Sequence, residues 1–214
     1  MSSILRYDLT SSQLTPEQLR EAAACLLAGE LIIYPTDTLY AIGCCALDEN
    51  AGQRLRDAKG RDAGKPLPVI VTDVAQARSL VASWPDAAQR LADAFWPGPL
   101  TLVVPASPSL PRALLAGALS VAVRVPASDV ARALARAAGP LVATSANLAG
   151  EPPCVTLDLA LAAFPLATMA LDVGLLDGAP STLVDLSDPA DDFRILREGR
   201  IDPATIDRAL SRKV

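Results

Sequence analysis

Residues 31–71 begin LIIYPTDTLYAIGCCAL (31–47) and end KGRDAGKPLPVIV (59–71), and they contain three short apolar runs separated by polar turns. Apolar runs of this length between Pro and Gly are typical of buried strands. Two hydroxyl groups and a carboxylate, in residues 36–38, follow the first run directly. In open α/β sheets, ligands bind where strands end. The segment therefore predicts strands with a ligand site beside them.

The cationic segment 59–65 contains two of the three lysines of the chain, Lys59 and Lys65, on either side of Arg61. One interpretation is a solvated turn with scattered charge, which is the commoner meaning of an isolated K-x-R pattern. The other is an anion site, in which ammonium and guanidinium donors converge on phosphate oxygens. The neighbouring strand ends favour the anion site, but the pattern alone does not name the ligand.

The composition is that of a globular chain of 214 residues, of which 51% are hydrophobic and 20% are charged. This length favours one large domain with a buried core, so we expect a single domain over residues 1–214. No apolar run approaches the ~18 residues of a membrane span, and the start lacks the apolar stretch of a signal peptide. We therefore expect a soluble, cytoplasmic protein. The net charge of −5 argues against broad non-specific binding to nucleic acid.

Histidine is absent, and the four cysteines show no C-x-x-C spacing. The lack of histidine excludes Ser-His-Asp and Cys-His catalysis and any His-ligated metal. The cysteine spacing gives no support to a zinc or redox motif, so we expect no metal site built from protein ligands. Cys44 and Cys45, adjacent on a predicted strand, are expected to point to opposite faces as small packing residues.

Strands and helices alternate along most of the chain, which predicts an α/β fold with a mixed, largely buried sheet. Capping residues and apolar periodicity set the expected bounds of the elements. The elements that matter below are helices starting at Thr15 and Asp202, a helix from Asp73 through Ala82, and a buried strand over Leu141–Thr144.

Polar groups recur at strand ends and in strand-flanking turns, at residues 36–38, 124, 144–147, 180–182 and 197. For any one of them, ordinary turn chemistry is the commoner explanation. Their recurrence favours a shared cleft. Arg124 stands in an otherwise apolar strand, so its charge needs a partner, for which either Asp37 or a substrate carboxylate would serve.

Seven short stretches carry a family resemblance. They are YPTDTLY (34–40), KGR (59–61) with KPL (65–67), WPGPLT (96–101), VRVP (123–126), SAN (145–147), PSTLVD (180–185) and REG (197–199). In this order they resemble the YrdC-like threonylcarbamoyl-AMP synthases over nearly the whole chain. The resemblance implies a twisted mixed α/β sheet with flanking helices around a large basic cleft, in one YrdC-like domain.

The resemblance also implies an activity, the first step of making threonylcarbamoyladenosine in transfer RNA. L-threonine, bicarbonate and ATP would give threonylcarbamoyl-AMP and pyrophosphate. Such chemistry rests on positioning and charge stabilisation, so the absence of histidine is no obstacle. The product would pass to a tRNA-modifying complex, and weak direct contact with tRNA is left open.

Roles for individual residues follow from the resemblance alone. The expected ATP ligands are Lys59, Arg61, Lys65, Ser120, Ser145, Asn147 and Arg197. Lys59 and Arg61 are also the expected catalytic groups. The expected threonine ligands are Thr38, Tyr40, Arg124 and Ser181. Mg²⁺ is expected to accompany ATP, mostly through phosphate oxygens and water.

One departure from the family pattern keeps two alternatives open. Ala41 stands where the family usually has Gly, a feature of a paralogous branch, although that branch tends to lose the Ser-x-Asn and Lys-Pro motifs that are intact here. One alternative is a non-enzymatic RNA-binding paralogue, which would show salt-sensitive RNA binding without threonine dependence. The other is a paralogous enzyme that uses a different carbamoyl acceptor.

Overall fold

The computed structural model describes residues 4–60, 65–148, 150–188 and 193–211, and the structural statements below concern these ranges. The strands are β1 (Leu5–Asp8), β2 (Ile32–Pro35), β3 (Tyr40–Gly43), β4 (Val69–Ile70), β5 (Leu100–Pro105), β6 (Ser120–Arg124), β7 (Leu141–Val142), β8 (Thr144–Ser145), β9 (Met169–Asp172), β10 (Thr182–Asp185) and β11 (Arg194–Arg197). The helices are α1 (Pro16–Leu27), α2 (Glu49–Lys59), α3 (Val74–Arg78), α4 (Asp86–Phe95), α5 (Arg112–Leu115), α6 (Asp129–Ala138), α7 (Leu157–Ala163) and α8 (Pro203–Ser211).

The first and last helices begin at the capping residues that the sequence predicts. Thr15 and Gln18 form a capping box ahead of α1, in which each side chain accepts a hydrogen bond from the backbone of the other residue. Asp202 caps α8, because its Oδ1 accepts from the Thr205 N–H at 3.0 Å. None of the helices in the described ranges has both the length and the apolarity needed to cross a membrane.

Helix α3 is shorter than predicted and ends at Arg78 rather than at Ala82. The backbone beyond it pairs with the end of β5 instead. Val81 forms an antiparallel bridge with Ala106, and the Ala82 N–H donates to the Pro105 carbonyl at 2.9 Å. Tertiary hydrogen bonds therefore end the helix before its local pattern does.

The strands form two mixed sheets. The five-stranded sheet has the order β1-β9-β2-β3-β8, and the six-stranded sheet has the order β11-β10-β5-β6-β4-β7. The pairs β2–β3 and β5–β6 are antiparallel, whereas β9 pairs in parallel with β1 and β2. The predicted class, mixed α/β with flanking helices, is confirmed. The sequence had suggested one sheet, and the structure divides the strands between two.

Residues 141–145 show where the two sheets meet. The sequence predicts one strand over Leu141–Thr144, but β7 pairs with β4 of the six-stranded sheet and β8 pairs with β3 of the five-stranded sheet. Between them, the Ala143 N–H donates to the Pro68 carbonyl at 2.9 Å. The segment thus crosses from one sheet to the other and carries Ser145 to the space between them.

Strand β3 sends alternate side chains into two clusters of buried apolar residues. Tyr40, Ile42 and Cys44 belong to a cluster shared with the six-stranded sheet, whereas Ala41 belongs to a cluster beneath α1 and α6, against which Cys45 also packs. This alternation follows from the period of two along a strand. The predicted opposite orientation of the adjacent cysteines is confirmed.

Candidate functional site

A cavity of about 260 Å³ lies between the two sheets. Its walls come from the turn between β2 and β3 and from strands of both sheets. Six residues that the sequence singled out line it, namely Thr38, Tyr40, Arg124, Ser145, Ser181 and Arg197. The fold therefore gathers polar groups from distant parts of the chain into one place.

Arg124 is buried at the end of β6 and is held by three acceptors. Nε donates to the Gly98 carbonyl at 2.9 Å, Nη1 donates to Thr38 Oγ1 at 3.1 Å, and Nη2 donates to Asp37 Oδ1 at 2.6 Å. Burial lowers the pKa of the guanidinium group, although the Asp37 carboxylate opposes this shift. These contacts use three of its five N–H groups, which leaves two without an acceptor among the described residues.

The turn Trp96–Pro99 supplies the carbonyl that holds Arg124 Nε. Its position is set by the Gly98 N–H, which donates to the Val125 carbonyl at 2.9 Å. A Cβ atom on Gly98 would lie 2.3 Å from the Phe95 carbonyl oxygen, so the turn needs glycine at this point.

Thr36 organises the turn that presents Thr38 to the cavity. Thr36 Oγ1 donates to the Leu39 carbonyl at 2.7 Å and accepts from the N–H groups of Thr38 and Leu39, each at 3.1 Å. The two threonine hydroxyl oxygens lie 2.9 Å apart. The sequence places Thr36 at a strand end and predicts no role for it. Its position in the YPTDTLY stretch is the feature that could have indicated one.

A second pair of hydroxyl groups, from Thr101 and Ser181, lies on another wall, with their oxygen atoms 2.8 Å apart. Arg197 Nη2 donates to the Ser181 carbonyl at 3.0 Å and to Ser181 Oγ at 3.2 Å. Burial of its guanidinium group lowers the pKa of Arg197. Thr101 was missed by sequence reasoning, although it stands in the WPGPLT stretch.

Gly199 allows the chain after β11 to approach Ser181 closely. A Cβ atom there would lie 2.5 Å from the Pro180 carbonyl oxygen, the Ser181 carbonyl carbon and the Thr182 nitrogen. All three are backbone atoms, which cannot give way as the end of a flexible side chain can. The glycine of the REG stretch therefore fixes the distance between Arg197 and Ser181.

Lys59 ends α2 beneath the turn that follows β8. Its side chain is buried, its Nζ donates to the Ser145 carbonyl at 2.7 Å, and it lies 5.9 Å from the centroid of the Phe164 ring. In the same turn, Asn147 Nδ2 donates to the carbonyls of Leu148 and Glu151. Asn147 Oδ1 is buried and has no hydrogen-bond partner among the described residues. A buried acceptor without a donor calls for an explanation, and a ligand donor is one.

The remaining expected ATP ligands lie outside the cavity walls or outside the described residues. Lys59, Lys65, Ser120 and Asn147 do not line the cavity, and Lys65 is exposed. Ser120 lies at the start of β6, on the strand face that it shares with Arg124 by the period of two. Arg61, an expected ATP ligand and catalytic group, lies outside the described residues.

Within the described ranges, no group of three or more His, Cys, Asp or Glu side chains is arranged to hold a metal ion. The donors around the cavity are guanidinium and hydroxyl groups together with one ammonium group. Such donors bind carboxylate and phosphate oxygens rather than cations. The cavity is therefore a candidate anion-binding site.

Comparison with known proteins gives consistent findings. The family model Sua5_yciO_yrdC, described as telomere recombination, matches residues 24–199. A protein of Pyrococcus abyssi named threonylcarbamoyl-AMP synthase is 39% identical over 174 residues, which are 80% of this chain and 51% of that protein. This chain thus spans about half the length of that relative. A protein of Mycobacterium tuberculosis named putative threonylcarbamoyl-AMP synthase is 36% identical over 206 residues, which are 95% of this chain and 94% of that protein.

Among solved structures, P. abyssi Sua5 complexed with L-threonine matches with a TM-score of 0.91 and 34% identity. The match covers 98% of this chain and 61% of that one. The fold of this chain is thus shared with a protein that was crystallised in complex with an amino acid.

Proposed function

This chain belongs to the Sua5/YciO/YrdC family, and we propose that it is an L-threonylcarbamoyladenylate synthase. The observation that carries the proposal is a single cavity lined by Arg124 and by two pairs of hydroxyl groups, Thr36 with Thr38 and Thr101 with Ser181. The relatives named as synthases, and the Sua5 structure complexed with L-threonine, support it. They favour an enzyme over the RNA-binding alternative.

The amino-acid half of the site is built around Arg124. Threonine presents its carboxylate to the two N–H groups that Arg124 does not use elsewhere, and a guanidinium group binds carboxylates through such paired contacts. Thr38 and Ser181 bond the other polar groups of threonine, and Tyr40 forms part of the wall. The support for this assignment is that all four residues line one cavity.

The nucleotide half of the site lies toward Ser145 and Arg197, the two expected ATP ligands that line the cavity. Lys59 donates to the carbonyl of Ser145. In the same turn, Asn147 Oδ1 is buried and has no hydrogen-bond donor among the described residues. We infer that this turn contacts the nucleotide. Lys65, Ser120 and Arg61 complete the set by family resemblance, and together these groups make the cleft basic.

The reaction follows from this placement. The amine of threonine and bicarbonate give a carbamate and water, and the carbamate oxygen then attacks the α-phosphorus of ATP. The bond from the α-phosphorus to the bridging oxygen breaks, and pyrophosphate leaves with that bonding pair. The protein holds both substrates and stabilises the charge on the phosphates. No step requires a protein nucleophile, and the chain has no histidine.

Mg²⁺ enters as part of the substrate MgATP. We expect the cation to be held mainly by phosphate oxygens and water. The product is a mixed anhydride that water can hydrolyse, so we propose that it passes directly to a tRNA-modifying complex in the cytoplasm.

The test is pyrophosphate release by the purified chain with ATP, threonine and bicarbonate, and with each omitted in turn. We expect release only when all three are present, with threonylcarbamoyl-AMP identified by mass spectrometry. Ser145→Ala and Arg61→Ala should each lower the rate about a hundredfold. Ser109→Ala and Arg90→Ala are matched controls on exposed positions outside the cavity and should keep the wild-type rate.

Two results would overturn the proposal. Release of pyrophosphate that does not depend on threonine would indicate a different acceptor. Wild-type rates in both Ser145→Ala and Arg61→Ala would remove the proposed site.

A further inference from the structure

The hydroxyl group of Tyr40 is held by the end of strand β9. Its Oη lies 3.0 Å from Asp172 Oδ1 and 2.8 Å from the Gly174 carbonyl oxygen, and it accepts from the Val173 N–H at 3.0 Å. Tyr40 is fully buried and contributes to the cavity wall. One end of the side chain is therefore fixed by β9, while the residue faces the site where threonine is proposed to bind.

Asp172 is the charged member of this group, and it is anchored in turn. Its Oδ1 also accepts from the Gly174 N–H at 2.9 Å, and its Oδ2 accepts from Arg6 Nη2 at 2.5 Å. Burial acts to raise the pKa of this carboxyl, but hydrogen bonds from Gly174, Arg6 and Tyr40 outweigh burial and hold the pKa below its ordinary value. An ionised carboxylate therefore faces the tyrosine, and bonds of this kind are stronger than neutral ones.

We propose that Asp172 is a positioning residue of the active site, which fixes Tyr40 against the threonine-binding half of the cavity and is itself held by Arg6. Asp172 does not line the cavity, so it acts only through Tyr40. The inference rests on the proposed function, because the effect of Asp172 is measured as a change in the KM for threonine. It connects β1, at the edge of the five-stranded sheet, to the substrate site.

Asp185 provides a matched control elsewhere in the fold. Like Asp172, it is a buried aspartate at the end of a strand. It accepts from an N–H group two residues later, that of Ser187 at 2.9 Å, and from an arginine, Arg194 Nη2 at 2.9 Å. Its hydroxyl partner is Ser187 rather than a residue of the cavity wall. A substitution of Asp185 therefore perturbs a similar set of hydrogen bonds but leaves the contacts of Tyr40 unchanged.

The experiment measures kcat, the KM for threonine, the KM for ATP and the melting temperature. The variants are Asp172→Asn, Tyr40→Phe, their combination and Asp185→Asn. We expect each of the first two to raise the threonine KM about tenfold, the size of one lost hydrogen bond to a charged group. The ATP KM should stay within about twofold. The combination should be no worse than the worse single variant, because both variants remove the same contact between Tyr40 and Asp172. Asp185→Asn should lower the melting temperature and leave the threonine KM unchanged.

The outcomes separate the two proposals. A wild-type chain without threonine-dependent activity overturns both. If the wild type is active and the threonine KM is unchanged in Asp172→Asn, only the positioning role is overturned. The same conclusion follows if the effects of Asp172→Asn and Tyr40→Phe on the threonine KM add in the combined variant. It also follows if the threonine KM rises equally in Asp185→Asn. If Asp172→Asn does not fold, Tyr40→Phe and Arg6→Gln decide, since Tyr40→Phe removes only the hydroxyl group and the Arg6 side chain is about half-exposed. An unchanged threonine KM in both variants overturns the role.

Discussion

Replacing Arg124 with leucine separates the structural role of its guanidinium group from its proposed role in binding. In the wild type its Nη2 lies 2.6 Å from Asp37 Oδ1, and the two side chains are only 8% and 15% exposed. Arg124→Leu leaves that carboxylate unpaired and also removes the donor to the Gly98 carbonyl. Removing one partner of a buried ion pair costs about 3–5 kcal/mol of unfolding free energy. The residual exposure of Asp37 favours the lower end, about 3 kcal/mol.

Two companion variants test this reasoning. Arg124→Leu combined with Asp37→Leu removes both charges, and buried pairs replaced by apolar residues are often close to neutral in stability. We therefore expect the double variant to recover most of the lost unfolding free energy without recovering threonine binding. Asp37→Asn keeps the guanidinium group and should still bind threonine.

The assays are urea unfolding followed by circular dichroism and isothermal titration with threonine. A loss of about 3 kcal/mol corresponds to a fall in melting temperature of about 6–12 °C for a chain of this size. Threonine binding at wild-type affinity in Arg124→Leu would refute the assigned carboxylate site. A double variant whose stability loss equals the sum of the losses measured for Arg124→Leu alone and Asp37→Leu alone would refute the ion-pair argument.

Three further perturbations test neighbouring features. Gly199→Ala places a Cβ atom 2.5 Å from backbone atoms beside Ser181, so we expect about 2–3 kcal/mol lower stability by urea unfolding and a reduced kcat/KM. Thr101→Val removes the buried hydroxyl group that pairs with Ser181 and should cost about 1–2 kcal/mol, with a threonine KM raised several-fold. The folded-state pKa of Asp172 lies below its ordinary value of 3.8, so its stabilising contribution is present above that pH and is lost as the pH falls through the folded pKa. In Asp172→Asn, the free energy of unfolding should therefore fall less steeply with decreasing pH than in the wild type. Urea titrations between about pH 5 and 2.5 measure this difference.

The local features of the fold were predictable because they depend on neighbouring residues. Thr15 and Asp202 cap their helices as their side chains and spacing indicate. The turn at residues 36–38 ends a strand because Pro35 follows an apolar run. The need of Arg124 for a partner followed from a single charge in an apolar strand, and Asp37 meets that need.

The division into two sheets was not predictable, because strand pairing is a long-range property. The sequence pattern of Leu141–Thr144 predicts one buried strand, and only the partners β4 and β3 show that its two ends belong to different sheets. The early end of α3 has the same cause, since Ala82 bonds to Pro105 across the fold. Thr101 was missed because its hydroxyl group matters only beside Ser181, 80 residues away in sequence.

The net charge of −5 is a poor guide to the local charge at the cavity. The charges of Arg197 and Arg200 both act to lower the pKa of Arg124, so three guanidinium groups influence one region. Two of them have carboxylate partners, since Asp37 pairs with Arg124 and Asp177 pairs with Arg200. Among the described residues Arg197 has only the carbonyl and hydroxyl oxygens of Ser181 as acceptors. Its charge therefore has no carboxylate partner among the described residues. Acidic groups farther than about 8 Å along the surface are screened at physiological ionic strength. The overall acidity of the chain is for this reason compatible with the proposed binding of an anionic substrate at this site.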